Sequence, residues 1–309
     1  MHDPGEIILG KYRLVRLLGA GGMGSVYEAV HEQIGKTVAV KFLNRDHVTD
    51  DRAVARFLRE AHAAAGIGHH GIIDIYDVGT TEEGAPFLVM EHLGGESLAE
   101  HLEKRGRMEV SSTAYVACQV LSALKAAHDK GIVHRDLKPD NVFLQDVGRE
   151  VPEVKLLDFG ISKILDTGVG AESITMTGAV LGTPFYMSPE QARGTKQLDH
   201  RVDLYAMGVI LYQCLTGRVP FHGTTYNEIL AKILTEEVVG LGELIQDIAP
   251  ELEAVVMRAL EKSPEDRHAT AEEQMRELLP FVEERHAAYV SMSEELRSSA
   301  SSRVPLPGF

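Results

Sequence analysis

Gly19-Ala20-Gly21-Gly22-Met23-Gly24-Ser25-Val26 gathers glycines at the start of the chain. Glycine lets a strand–loop–strand turn close tightly and brings backbone N–H groups against phosphate oxygens. A plain hairpin tip would look the same. The residues that follow, Val26-Tyr27-Glu28-Ala29-Val30, read as a strand. The loop therefore does not open a helix, and this context disfavours dinucleotide binding. Lys41 is the second candidate, alone in the apolar run Thr37-Val38-Ala39-Val40-Lys41-Phe42-Leu43. Alternation puts Val38, Val40 and Phe42 on one face, and Ala39 and Lys41 on the other. A small residue beside a cation suits a flat ring with phosphates beyond it. Glu60, on the next helical stretch, is a candidate partner for Lys41. The third set is His134-Arg135-Asp136-Leu137-Lys138-Pro139-Asp140-Asn141, followed by Asp158-Phe159-Gly160.

The elements that must position these residues fall into two groups. Residues 11–43 read as three strands, 51–65 as a helix, and 72–78 and 86–92 as further strands. Gly94-Gly95 then breaks the pattern. Beyond it, Ala114, Ala117, Leu121 and Leu124 form a helical stripe that Gly131 ends. Short strands are expected at 132–134, 142–145 and 154–157. Residues 160–183 form a long loop rich in Gly, Ser and Thr, of the kind that is usually functional or disordered. Residues 202–215 are apolar nearly all round, which predicts a deeply buried helix. A strand-rich third followed by a helical remainder implies two lobes, with a cleft between them as the natural ligand site.

Composition removes several classes. The net charge of −15 disfavours a general nucleic-acid binder, because a duplex would repel the chain. Cys118 and Cys214 lie far apart in apolar helical patterns, so two buried thiols in a reducing compartment are expected. No run approaches the ~18 apolar residues that span a bilayer.

The third set decides the family. With the glycine loop, Val38-Ala39-Val40-Lys41, Glu60, Ser188-Pro189-Glu190, Asp203, Gly208 and Arg267, it resembles the eukaryotic-like protein kinases in order along residues 11–280. The stretch Gly182-Thr183-Pro184-Phe185-Tyr186-Met187-Ser188-Pro189-Glu190 is similar to the bacterial serine/threonine branch. Ser188 departs from the family's commoner alanine. The resemblance implies an α+β fold, with a small antiparallel β lobe carrying one main helix and a larger, mainly helical C-terminal lobe. The boundaries are a lead over 1–10, an N-lobe over 11–93, a C-lobe over 94–285, and a disordered tail or linker over 286–309.

It also implies roles. Asp136 would orient the substrate hydroxyl and finally take its proton, and Lys138 would neutralise charge on the moving phosphoryl group. Asn141 and Asp158 would hold Mg²⁺, with Mn²⁺ as an alternative. Lys41, held by Glu60, would contact the ATP phosphates. Leu18, Gly19, Gly21, Gly24, Val26, Ala39 and Leu144 would enclose the nucleotide. Met90 would stand at the back of the pocket, the Glu91 and Leu93 backbones would bond the ring edge, and Glu96 could reach the ribose. Thr183, Glu190, Asp203 and Arg267 would be architectural. Arg135 would receive a phosphate placed on Thr175 or Thr177 by autophosphorylation. The expected partners are ATP, protein Ser/Thr hydroxyls and the chain itself, with no nucleic acid and no membrane span, in the cytoplasm or as the cytoplasmic part of a longer membrane protein. The alternative, a scaffold that binds nucleotide without turnover, would show as loss of Lys41, Asp136, Asn141 or Asp158; all four are present.

Overall fold

The computed structural model describes residues 2–21, 24–44, 51–146, 152–158 and 184–283, without the side chains of Asp51, Arg52, Arg56, Glu60 and Ala63. The expectations for Phe159, Gly160, Thr175, Thr177, Thr183 and the tail from 286 fall outside the described residues, as does the side chain of Glu60.

The N-lobe is a six-stranded antiparallel sheet in the order β1-β2-β3-β4-β6-β5. Its strands are β1 (Ile7–Ile8), β2 (Tyr12–Ala20), β3 (Gly24–His31), β4 (Thr37–Leu43), β5 (Ile75–Thr80) and β6 (Pro86–Glu91). Cross-strand register explains its two faces. Val26 lies opposite Lys41, Lys41 opposite Leu88, and Ala39 opposite Met90. Because side chains alternate along each strand, these residues share one face. Tyr27, Val38, Val40, Phe42, Phe87 and Val89 share the other, where they form the lobe's core with Ile8, Tyr12 and Leu14.

The sheet curls until its edges meet. The Tyr12 hydroxyl donates to Asp77 on β5 at 3.0 Å, and Lys11 stands 3.7 Å from the same carboxylate. The lead packs onto this lobe: His2 stacks on Phe42 with ring centroids 4.0 Å apart, and its backbone N–H donates to the Tyr27 hydroxyl. Helix α1 (Asp51–Ile67) lies on the Lys41 face, burying Phe57 and Ala61 against Leu43 and Leu88.

After the hinge, β7 (Gly95–Ser97) pairs with β8 (Val142–Gln145), and β8 with β9 (Glu153–Leu156). Gly95 has φ +136°, and a Cβ there would sit 2.1 Å from the Leu144 carbonyl oxygen, so only glycine lets β7 lie this close to β8. Among the described residues, the helices of this lobe are α2 (Leu98–Arg105), α3 (Val110–His128), α4 (Pro189–Ala192), α5 (Arg201–Thr216), α6 (Tyr226–Thr235), α7 (Pro250–Ala259) and α8 (Ala271–Leu278). Helix α5 is buried along nearly its whole length and stops at Gly217, which is left-handed at φ +77°. Cys118 and Cys214 are both buried free thiols, and burial pushes each up to about 12.

The strand expected at 132–134 does not form. Its backbone donors are taken elsewhere: the Ile132 N–H donates to the Ala127 carbonyl at 3.0 Å, and the N–H groups of His134 and the adjoining Arg135 donate to the two carboxylate oxygens of Asp203, each at 2.8 Å. A side chain of α5 satisfies the latter two in place of a neighbouring strand. Among the described residues, no helix is long and apolar enough to cross a membrane.

Candidate active site

Lys41 and Asp158 meet across the gap between the lobes, Nζ donating to Oδ1 at 2.6 Å. Lys41 comes from the centre of β4, and Asp158 follows the end of β9. Desolvation in the cleft pulls the Asp158 carboxyl upward; the ammonium beside it outweighs that and leaves it below the usual carboxylate range. Asp158 has φ +40° and Arg135 φ +64°, left-handed conformations that few side chains adopt. They sit where the catalytic-loop candidate and the Asp158 segment turn towards one another.

Around this contact the loop is held by its own bonds. Asn141 Nδ2 donates to the Asp136 carbonyl at 2.8 Å, which leaves its amide oxygen as an acceptor. The Leu157 N–H donates to the Asn141 carbonyl at 2.9 Å, which ties the loop to the residue before Asp158. Lys138 Nζ lies 3.5 Å from Asp136 Oδ2. His134 is fully buried, and burial holds its imidazole below the ordinary histidine range. Its Nδ1 accepts from the Asp136 N–H at 3.3 Å, and its Nε2 reaches the Leu157 carbonyl at 3.1 Å. That pattern fits one neutral tautomer, with the proton on Nε2, bridging the segments that carry Asp136 and Asp158.

Register and burial place the expected pocket residues as follows. Val26, Ala39, Lys41 and Met90 share the cleft face of the N-lobe sheet through their register. Gly19 pairs with Val26 in the β2–β3 hairpin, and the Gly21 N–H closes that turn on the Gly24 carbonyl at 2.8 Å. The loop thus joins two strands, as the sequence reading requires. Gly24 has no room for a side chain: a Cβ there would stand 2.1 Å from the Phe42 carbonyl oxygen. Leu144 is buried on β8 and pairs with Glu96 on β7. Leu18 is exposed at the end of β2, and Leu93 is half-buried in the hinge.

The architectural candidates Glu190, Asp203 and Arg267 are also paired. Glu190 and Arg267 form a two-pronged ion pair, with both N–O distances 2.8 Å and the Arg267 side chain fully buried. Asp203 accepts from His128 Nε2 at 2.8 Å besides the two backbone bonds. Among the described residues the buried Arg135 Nε has no hydrogen-bond partner, while its Nη2 reaches the Leu198 carbonyl at 3.5 Å, and burial lowers this guanidinium below its usual value.

Sequence reasoning missed Lys155. It is buried on β9 and donates to Glu91 Oε1 at 2.7 Å, while the Asp74 N–H donates to the same oxygen at 2.8 Å. The Glu91 side chain is thus bound to the C-lobe at the hinge. The signal was present, because a lone lysine in an apolar strand is the pattern that singles out Lys41.

The Protein kinase domain family matches residues 12–279, and the chain belongs to that family. Among curated proteins it is 44% identical over 307 residues to the serine/threonine-protein kinase pkn3 of Myxococcus xanthus, covering 98% of this chain and 55% of that protein. It is 36% identical over 269 residues to the serine/threonine-protein kinase PrkC of Bacillus subtilis, covering 87% of this chain and 40% of the relative. The chain therefore spans about half the length, or less, of these relatives. Among solved structures, the kinase domain of Mycobacterium tuberculosis PknI superposes with a TM-score of 0.69 at 26% identity, covering 91% of this chain and 100% of that one. The fold is the two-lobe protein kinase fold.

Proposed function

We propose that this chain is a serine/threonine protein kinase that moves the γ-phosphate of ATP onto protein hydroxyls. The observation that carries this reading is the Lys41–Asp158 contact at 2.6 Å, made by residues 117 positions apart from opposite lobes, with Asp136, Lys138 and Asn141 beside it. A loose phosphoryl-transfer state needs orientation and charge neutralisation more than strong base catalysis. Asp136 fits the orienting role: its backbone is fixed by His134 and Asn141, and its carboxylate is partly exposed to the gap. It accepts the hydrogen bond of the acceptor hydroxyl and then its proton. Lys138, close enough to share that site, neutralises the phosphoryl oxygens. Lys41 is the cation for the α- and β-phosphates, and Glu60 is its assigned partner.

The donor set suits Mg²⁺. The Asn141 amide oxygen and the Asp158 carboxylate are hard oxygen ligands, and phosphate oxygens and water complete such a shell. When bound there, the ion would supply charge neutralisation for the phosphates. Val26, Ala39 and Leu144 would sandwich the adenine, with Met90 behind it and the backbones of Glu91 and Leu93 at its edge.

Regulation follows from Arg135. Its buried Nε has no acceptor among the described residues, and a phosphate on Thr175 or Thr177 supplies acceptor oxygens for it. Thr183 contacts Asp136 and Lys138 in this reading. The compartment is the cytoplasm, where ATP is available and thiols such as Cys118 and Cys214 stay reduced. Chelation tests the reading: removal of divalent metal with EDTA abolishes phosphate transfer and added Mg²⁺ restores it. Transfer that persists in the chelated enzyme contradicts it.

A further inference from the structure

We infer that His101 and Lys104 are positioning residues that hold Glu96 in place as the acceptor for the two ribose hydroxyls of the nucleotide. The inference rests on the nucleotide reading above and extends it to residues outside the pocket.

Glu96 is fixed from both directions along the chain. On one side it lies opposite Leu144 in the β7–β8 pairing, beside the pocket floor, and Gly95 lets β7 press against β8. On the other, Ser97 caps α2: the Glu100 N–H donates to Ser97 Oγ at 3.1 Å, and the Ser97 N–H donates to Glu100 Oε2 at 2.8 Å. That capping box sets the direction in which α2 leaves the strand. His101 and Lys104, three residues apart on the helix, then share a face that points back at Glu96. His101 Nδ1 meets Glu96 Oε1 at 2.8 Å, and Lys104 Nζ meets Oε2 at 2.5 Å.

Each carboxylate oxygen can accept about two hydrogen bonds. With one taken on each, one acceptor site per oxygen remains, a match for the two adjacent hydroxyl donors of a ribose. The Glu96 side chain is only partly exposed, so both oxygens stay near the pocket. Lys104, with His101 second, holds the carboxyl below its ordinary value, which favours the ionised, accepting form. A free glutamate gives up side-chain rotation when it grips a ligand; a tethered one has given it up already.

The test is titration calorimetry of the whole chain with ATP, 2′-deoxyATP and 3′-deoxyATP. Wild type binds ATP most tightly. Lys104→Met and His101→Asn each weaken ATP binding by about two- to tenfold, and the preference for ATP over the deoxy analogues falls towards one. Lys104→Arg retains both affinity and preference. Unchanged or tighter ATP binding in Lys104→Met overturns the inference, because the partners would then be withholding Glu96 from the ribose. Equal weakening for all three nucleotides overturns it too, since general loosening of α2 explains that result. Wild type that binds none of the three overturns the nucleotide reading itself, and this inference with it.

Discussion

Glu190→Ala should be the most damaging single substitution away from the cleft. Arg267 uses all five guanidinium N–H donors: Nε to the Glu261 carbonyl, Nη1 to Glu190 and the Arg201 carbonyl, and Nη2 to Glu190 and the Lys262 carbonyl. Its charge also lies over the Tyr205 ring, 4.9 Å from the centroid. The side chain has no exposure to water, so deleting the carboxylate strands a cation that cannot be resolvated in place. Breaking one partner of such a pair costs about 3–5 kcal/mol. In a domain of this size, each kcal/mol moves Tm by about 2–4 °C, which gives a fall of about 6–20 °C. The assay is urea unfolding followed by circular dichroism, with calorimetry for Tm. A Glu190→Leu/Arg267→Met double variant removes both charges. It should be less destabilised than the sum of the singles by more than about 2 kcal/mol. It will not reach wild type, because three carbonyls lose their donors. A Glu190→Ala variant within about 1 kcal/mol of wild type refutes the reasoning, since the stranded charge would then have found water.

Three further outcomes follow from the same contacts. His134 has its folded pKa held below the unfolded value near 6.5, so below about pH 6.5 the unfolded chain takes up a proton that the fold refuses. That contribution is intact above pH 6.5 and is lost steadily on acidification; His134→Leu should flatten the stability-against-pH curve there, and an unchanged slope would remove the claim. Gly24→Ala forces a Cβ against the Phe42 carbonyl oxygen, so the β3–β4 pairing must shift, and nucleotide affinity should fall by about tenfold or more, read by calorimetry. After incubation with ATP and Mg²⁺, mass mapping should find phosphate on Thr175 or Thr177; Arg135→Ala should leave the phosphorylated chain no more active than the unmodified one. A phosphorylated Arg135→Ala enzyme that gains the wild-type increment contradicts the pocket assigned to Arg135.

Periodicity and punctuation reveal the elements where local signals dominate. The alternation around Lys41 separates its cleft face from the core face correctly, because the β3–β4–β6 register simply extends it. The all-round apolar pattern of 202–215 becomes the buried α5, with Gly217 as its stop. What sequence does not show is long-range compensation. The failed strand at 132–134 is set in part by Asp203, about seventy residues away, whose carboxylate takes donors a strand would use. Lys155 stands out as a lone lysine in an apolar strand, but its partner Glu91 and the two partners of Glu96 do not show in sequence, and only folding places these pairs on hinge and pocket residues. The chemistry-bearing set is legible because motif order along the chain carries it. The tethers around it are not, because they depend on register and on which helix face turns inward.

The most direct test of the central claim is transfer of labelled phosphate from ATP with Mg²⁺, in wild type and Asp136→Asn together, read on the chain itself and on a basic protein substrate. The substitution keeps size and backbone contacts and removes only the carboxylate that orients and deprotonates the hydroxyl. Label on wild-type samples, with its loss in Asp136→Asn while ATP binding persists, is the predicted result. Equal labelling by both proteins would contradict the assignment of Asp136 and the mechanism built on it.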